Sequence, residues 1–143
     1  MMKKKICKIT KLYLRARWFY LHKMTFVAKM IFRRMRIFYS CEIPYTCQID
    51  KTVYFAHNAL GVVINSTAVI DENVTIYQNV TIGNRNSSKG PHIEKNVLIG
   101  ANSVIIGEIT IGANSKIGAG AIVVDDVPAQ ATFISNKAKQ VIN

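Results

Sequence analysis

Hydrophobic side chains recur every six residues through most of the C-terminal two thirds of this chain. The large aliphatic positions are Ile64, Ile70, Ile76, Ile82, Ile93, Ile99, Ile105, Ile111, Ile117 and Val123. Except at Ile82, where the spacing is interrupted, small or β-branched residues follow by four, at Ala68, Val74, Val80, Val97, Ser103, Ile109, Ser115, Ala121 and Val127. A strand repeats every two residues and a helix every 3.6, so neither explains this spacing. A chain that turns a corner every six residues does, and it predicts a triangular solenoid with three hexads per coil.

The same spacing begins earlier, at Ile43, Ile49 and Phe55, and is interrupted twice. The first break covers residues 56–63 and the second is a polar, Gly- and Ser-rich stretch at residues 83–92. Insertions at the corners of a solenoid project as loops, which usually lie on the binding face. Two breaks one coil apart therefore predict a single site. The solenoid is expected to span residues 42–131, with a loop at 83–92 and a tail at 132–143.

Residues 1–41 are predicted to form a separate, basic helical leader. They hold twelve Lys and Arg and no Asp or Glu, although the whole chain has a net charge of only +11. Residues 6–39 lack Gly and Pro, which favours one or two helices, the second beginning at Thr25. The leader either covers the open first coil or docks on anionic lipid, and both interpretations stay open. No motif favours nucleic acid as a partner.

Cysteine content and hydropathy predict a cytoplasmic protein. The three cysteines are odd in number and lack metal-ligand spacing, as expected of reduced thiols. No apolar run reaches the roughly 18 residues of a membrane span, and basic residues interrupt every candidate signal sequence. The chain also has no phosphate-binding glycine loop, nucleophile elbow or Cys/His metal cluster, so no metal is expected.

A closer resemblance extends over residues 42–143. The stretch HNALGVVINSTAVIDENVTIYQNVTIG, with IGANSV and IGANSKIGAGAIVVDDVP after it, resembles the serine O-acetyltransferases, which are hexapeptide-repeat acyltransferases. This resemblance implies a mainly β fold, a left-handed parallel β-helix of hexapeptide repeats, here with a short basic N-terminal helical segment. It also implies acetyl-CoA as acyl donor and a homotrimer with each site between neighbouring prisms.

The resemblance assigns a catalytic pair. His57 matches the family's general base, and Glu42 lies fifteen residues earlier, where the family has Asp. A neutral imidazole can take the proton of an attacking alcohol, while a carboxylate on its other nitrogen fixes the tautomer. Backbone N–H groups can stabilise the oxyanion. The resemblance further places the pantetheine arm beside Ala101 and Ala119, with Lys139 as the basic residue of the tail.

The acceptor half departs from the family pattern. Ala56 replaces the family's Asp before the base, and Gly90 replaces its second histidine, which leaves Lys89 and His92 as acceptor-site candidates. A zwitterion such as serine loses charge partners by these changes, whereas a sugar hydroxyl does not need them. A sugar or surface glycan is therefore the favoured acceptor, as in the short relatives of surface-polysaccharide biosynthesis.

Four alternatives accompany this prediction, the fourth being a lipid or nucleic-acid binder in which the leader is the active part. The first is serine O-acetyltransfer to L-serine in cysteine biosynthesis, and the second is an inactive trimeric scaffold. The third, a hexapeptide-repeat metalloenzyme of the γ-carbonic-anhydrase kind, needs three suitably placed histidines. This chain has three in all, and His22 lies in the leader.

Overall fold

Two antiparallel helices precede a parallel β-helix in the computed structural model, which describes residues 6–136. The helices are α1 (Lys8–Leu21) and α2 (Thr25–Tyr39), so the second begins at the predicted residue. Neither of them, nor any other helix in the described range, combines the length and apolar character needed to cross a membrane.

The rest of residues 6–136 forms thirteen very short strands joined by turns. They are β1 (Gln48–Ile49), β2 (Tyr54–Phe55), β3 (Val63–Ile64), β4 (Val69–Ile70), β5 (Thr75–Ile76), β6 (Thr81–Gly83), β7 (His92–Ile93), β8 (Leu98–Ile99), β9 (Val104–Ile106), β10 (Thr110–Ile111), β11 (Lys116–Ile117), β12 (Ile122–Val123) and β13 (Thr132–Phe133). Three parallel sheets form the walls of a prism: sheet A (β3, β6, β9, β12), sheet B (β1, β4, β7, β10) and sheet C (β2, β5, β8, β11, β13). The predicted hexapeptide-repeat β-helix is confirmed.

Strand register shows how the two breaks are absorbed. Val63 lies beside Thr81, eighteen residues later, in an uninterrupted coil. Thr81 lies beside Val104, twenty-three residues later, because the second break adds five residues. The first break adds three, so Tyr54 lies beside Thr75, twenty-one residues later. Both insertions bulge at corners, and the hydrogen-bonded ladder on each wall continues past them.

The predicted six-residue spacing marks the core. Every large hydrophobic position from Ile43 to Val123 is buried, as are the small or β-branched residues that follow by four, except the half-buried Ile109. Each buried aliphatic side chain contributes roughly 1.5–3 kcal/mol relative to an exposed one. Asparagines occupy the corners in the left-handed conformation, and they stack: the Asn79 amide donates to the Asn102 Oδ1 at 3.1 Å.

Helix α1 closes the open end of the first coil. The Thr10 hydroxyl donates to the Val53 carbonyl at 2.7 Å, and the Tyr13 hydroxyl donates to the Cys47 carbonyl at 2.6 Å. Arg17 donates to the same Cys47 carbonyl at 2.6 Å. These side chains satisfy backbone groups that lack a neighbouring coil, so α1 acts as the cap that solenoid ends require. Burial raises the pKa of Tyr13 to about 12.

The ladder begins at Glu42, which forms a parallel bridge with Val63, and it ends at β13, which pairs with β11. It therefore includes the first two residues of the predicted tail.

Candidate active site

One edge of the prism carries three of the predicted site residues. His57, Tyr77, Ala101 and Ala119 each follow a strand of sheet C and precede a strand of sheet A, in four successive coils. We call this the C/A edge. Coils are spaced by about 4.8 Å, so Ala119 lies about 14 Å above the level of His57 along the prism axis. The structure thus aligns the predicted base with the two predicted pantetheine-binding turns.

The backbone at His57 is strained. His57, Asn58 and Ala59 have φ angles of 50°, 54° and 59°, three consecutive non-glycine residues in the left-handed region. This conformation costs roughly 1–2 kcal/mol each for His57 and Ala59, whereas asparagine adopts it more readily. Hydrogen bonds on both sides hold the turn: Gly61 N–H donates to the Ser40 carbonyl at 2.9 Å, and Asn79 N–H donates to the Leu60 carbonyl at 2.8 Å. Strain of this kind concentrates at functional sites.

The imidazole of His57 is exposed and faces Tyr77. The two ring centroids lie 6.4 Å apart, with the planes tilted by 51°. Tyr77 did not emerge from the sequence. The first break lengthens its coil to 21 residues, so counting 21 residues on from Ala56 would have pointed to Tyr77. Ala56 itself is buried, so a methyl group occupies the place where the resemblance expects a carboxylate.

The Glu42 carboxylate does not contact His57 in this structure. Glu42 lies on the outer face of sheet A, and its Oε2 is 3.4 Å from an Arg36 guanidinium nitrogen. Arg36 lies in the last turn of α2 and is the charged partner of Glu42 in this structure. Glu42 also lines a shallow groove of about 320 Å³ with Val63 and Thr81.

The second break lies on a different edge from His57. Residues 84–91 connect β6 of sheet A to β7 of sheet B, so the width of sheet A separates this loop from the C/A edge. The single site expected from two neighbouring breaks is therefore not formed within one chain. The reason is that the breaks follow strands of different walls, which their spacing in sequence does not reveal.

Glu108 anchors the 84–91 loop. It accepts a hydrogen bond from the Ser87 hydroxyl, and its other carboxylate oxygen is 3.4 Å from the Lys89 ammonium. The Ser87 hydrogen bond, with a smaller contribution from Lys89, holds the pKa of Glu108 below its usual range. Lys89, a predicted acceptor-site residue, is therefore already paired with an acid.

The surroundings of His92 and of Gly90 differ from those expected of a second active-site histidine. His92 lies at the start of β7, where its Nε2 is 2.9 Å from the Asp71 Oδ2, a partner that the sequence did not suggest. A Cβ atom at Gly90 would come within 3.0 Å of the Asn65 side chain and 3.1 Å of the Ala68 backbone nitrogen. A histidine does not fit at position 90 unless the loop moves.

Two closely stacked turns offer exposed backbone on the C/A edge. Gly120 N–H donates to the Ala101 carbonyl at 2.8 Å, which locks the Ala119 turn onto the turn below it. A Cβ at Gly100 would lie 2.6 Å from the Ala119 nitrogen, so only glycine permits this approach. The resulting smooth strip of backbone suits an extended pantetheine arm. Lys139 lies outside the described residues.

The described residues offer little support for a mechanism through a cysteine acyl-enzyme or for one that depends on a metal ion. Burial raises the pKa of the Cys41 thiol to about 11 and that of the Cys47 thiol to about 12, so neither is a ready nucleophile. Between residues 6 and 136, no group of three or more His, Cys, Asp or Glu side chains could hold a metal ion.

Comparison with known proteins agrees with this geometry. Residues 90–125 match the family model described as bacterial transferase hexapeptide (six repeats). The serine acetyltransferase of Bacillus licheniformis is 39% identical over 92 residues, covering 62% of this chain and 43% of that protein. The Entamoeba histolytica serine acetyltransferase isoform 3 in complex with cysteine has a TM-score of 0.85 at 25% identity, covering 94% of this chain and 49% of that one. The Brucella abortus enzyme in complex with coenzyme A has a TM-score of 0.83 at 31% identity, covering 90% and 52%.

The chain thus resembles the hexapeptide-repeat acyltransferases of the serine acetyltransferase kind, as the sequence predicted. It spans about half the length of these relatives. Because the structural match covers 94% of this chain, it includes most of the helical segment as well as the solenoid.

Proposed function

We propose that this protein is an acetyl-CoA-dependent O-acetyltransferase in which His57 is the general base. The observation that carries the proposal is the C/A edge, where a strained turn presents His57 in line with the stacked turns of Ala101 and Ala119. Resemblance to serine acetyltransferases, one of them in complex with coenzyme A, supports it.

In the proposed reaction the acetyl group passes directly from thioester to alcohol. The His57 imidazole removes the acceptor hydroxyl proton as the oxygen attacks the thioester carbon, and it returns that proton to the departing CoA sulfur. This general-base step contributes typically ~10²–10⁴-fold. Direct transfer is favoured over an acyl-enzyme because Cys41 and Cys47 are buried with raised pKa values.

Glu42 is the proposed partner of His57, and a side-chain rearrangement must precede that role. Its present partner, Arg36, and Glu42 itself are both about half exposed, and exposed ion pairs contribute only ~0–1 kcal/mol. Rotation of the Glu42 side chain away from Arg36 is therefore energetically cheap. The carboxylate would then orient the imidazole and stabilise its protonated form.

Free serine is the acceptor that the names of the relatives support. A sugar or surface-glycan hydroxyl is a second candidate, favoured by two local observations. Ala56 is buried and uncharged, and a side chain at Gly90 would press on Asn65 and Ala68. Each removes a group that could bind the charged ends of an amino acid.

A homotrimer is proposed because the donor edge and the 84–91 loop lie at opposite sides of sheet A. A neighbouring prism could bring its own loop to the C/A edge. The outer face of sheet A exposes Val63, Ile122 and Val124, which such contacts would cover. The cytoplasm is the proposed location, in keeping with three free thiols.

Thiol release from acetyl-CoA, measured with a panel of serine, other amino acids, sugars and oligosaccharides, tests the function. His57→Ala should lower turnover by roughly 10²–10⁴-fold. The matched control His22→Ala, at the end of α1, should leave it unchanged. Glu42→Gln should lower turnover at least about tenfold, because an amide cannot stabilise the imidazolium.

The outcomes of this assay are distinct. Full activity of His57→Ala would show that the base is misassigned. Rapid turnover with serine and none with sugars would remove the glycan candidate. No thiol release with any acceptor would favour the inactive scaffold.

A further inference from the structure

Helix α2 presents an apolar stripe that nothing in the described structure covers. Phe26, Met30 and Ile37 lie four and seven residues apart, a spacing that places them on one side of the helix. Phe26 is 74% exposed and Ile37 is 73% exposed. Helix α1 has the capping role described above, and α2 buries only Ala28 and Met35 on its opposite side. The stripe is therefore not needed to close the solenoid.

The stripe is bordered by positive charge without compensating acid. Residues 6–41 contain nine Lys and Arg and no Asp or Glu. Among the ion pairs of the described residues, only Arg36 of the two helices contacts a carboxylate, that of Glu42. Lys29 and Arg34 flank the apolar side chains of α2, and Arg33 lies within the stripe, between Met30 and Ile37.

A groove between the helices adds a second feature of the same kind. It has a volume of about 620 Å³ and combines three cations, Lys8, Arg15 and Arg34, with apolar walls that include Leu12, Ile31 and Phe38. Cations around an apolar groove suit a molecule that has an anionic head and a hydrocarbon tail.

We propose that α2 docks on the surface of an anionic phospholipid bilayer. The stripe of Phe26, Met30 and Ile37 enters the boundary between headgroups and acyl chains, while the basic side chains meet lipid phosphates. Burial of one large apolar side chain strengthens binding about ten- to a hundredfold. Each basic residue near an anionic surface adds about fivefold.

The positive charge and the apolar stripe together favour a lipid bilayer over two other binding partners, a second copy of the chain and a nucleic acid. A second copy of the chain would place one positive face against another. A nucleic acid would neutralise the charge but would leave Phe26 and Ile37 in water. An anionic bilayer satisfies both the charge and the apolar stripe. The helix lies on the surface, since α2 has only 15 residues.

Co-sedimentation of the full chain with vesicles tests the proposal. Vesicles of equal phosphatidylglycerol and phosphatidylcholine are compared with vesicles of phosphatidylcholine alone. The double variant Phe26→Ser/Ile37→Ser should lose at least tenfold in partitioning to the anionic vesicles. The matched control is Ile134→Ser on the solenoid, which removes an isoleucine of the same 73% exposure and should bind like the wild type. Circular dichroism confirms that the variants are folded.

A second measurement does not depend on removing apolar residues. In a Trp18→Phe/Phe26→Trp variant, tryptophan emission should shift to the blue on addition of anionic vesicles and stay unchanged with neutral ones. Equal binding of the two vesicle types, or unchanged binding by the double variant, would overturn the proposal. So would vesicle-independent dimerisation that the double variant abolishes, because a second copy would then be the occupant.

Discussion

Removal of one hydroxyl group tests whether α1 is the cap of the β-helix. Tyr13→Phe keeps the buried ring and deletes only the oxygen that donates to the Cys47 carbonyl and accepts from the Ile49 N–H at 3.1 Å. The Cys47 carbonyl keeps its hydrogen bond from Arg17. The Ile49 N–H has no other partner in the first coil and becomes a buried, unpaired donor.

The expected cost follows from that orphaned donor. A buried polar group without a partner costs about 1–3 kcal/mol. No cavity larger than an oxygen atom is created, so this is nearly the whole effect. For a chain of this size each kcal/mol lowers the melting temperature by a few degrees, and the total decrease should be roughly 3–10 °C.

Thermal and urea unfolding, followed by circular dichroism, measure this change. Tyr20→Phe on the same helix is the matched control, because Tyr20 is exposed and makes no hydrogen bond through its hydroxyl within the described residues. It should shift stability by less than about 0.5 kcal/mol. Equal melting temperatures for Tyr13→Phe and the wild type would refute the capping argument.

Three further predictions concern the donor edge, the buried thiols and the outer face of sheet A. Gly100→Ala forces a methyl group against the Ala119 nitrogen, so it should destabilise the fold by about 1–3 kcal/mol and raise the KM for acetyl-CoA, measured by thiol release. The pKa values of Cys41 and Cys47 rise from 9.0 to about 11 and 12 on folding, so the unfolded chain loses these protons first. The contribution of these thiols to the free energy of unfolding should therefore be constant below pH 9 and fall between pH 9 and 12, with a smaller slope in Cys47→Ala. Ile122→Arg should convert the proposed trimer to monomers in light scattering and abolish turnover, whereas a wild-type monomer with full activity would contradict the trimer.

The wall positions of the fold were predictable because a solenoid repeats one local rule. Ile64, Ile70 and Ile76 each point inward for the same geometric reason, so sequence spacing alone identifies the core. The helices were predictable only in outline. Their lack of Gly and Pro favours helix, but the hydrogen bonds from Thr10 and Tyr13 to the first coil depend on tertiary placement.

The candidate site was predictable only where residues follow the repeat. Ala101 and Ala119 lie in equivalent turns, so they had to share an edge with each other. The 84–91 loop and His57 lie on different edges within one chain, because closeness in sequence does not specify which corner of the prism a break occupies. The Arg36–Glu42 and Asp71–His92 contacts join separate elements and leave no periodic signal.

Placement of the two insertions on different corners also affects how this molecule can change over generations. Glycine contacts such as that of Gly100 fix the donor edge, and few substitutions there are tolerated. The 84–91 loop is fastened chiefly by surface side chains, among them Glu108 and Asn65. New loop sequences can therefore be grafted at that corner without disturbing the wall ladders, so under the proposed function the acceptor side of the site can change while the C/A edge keeps its geometry.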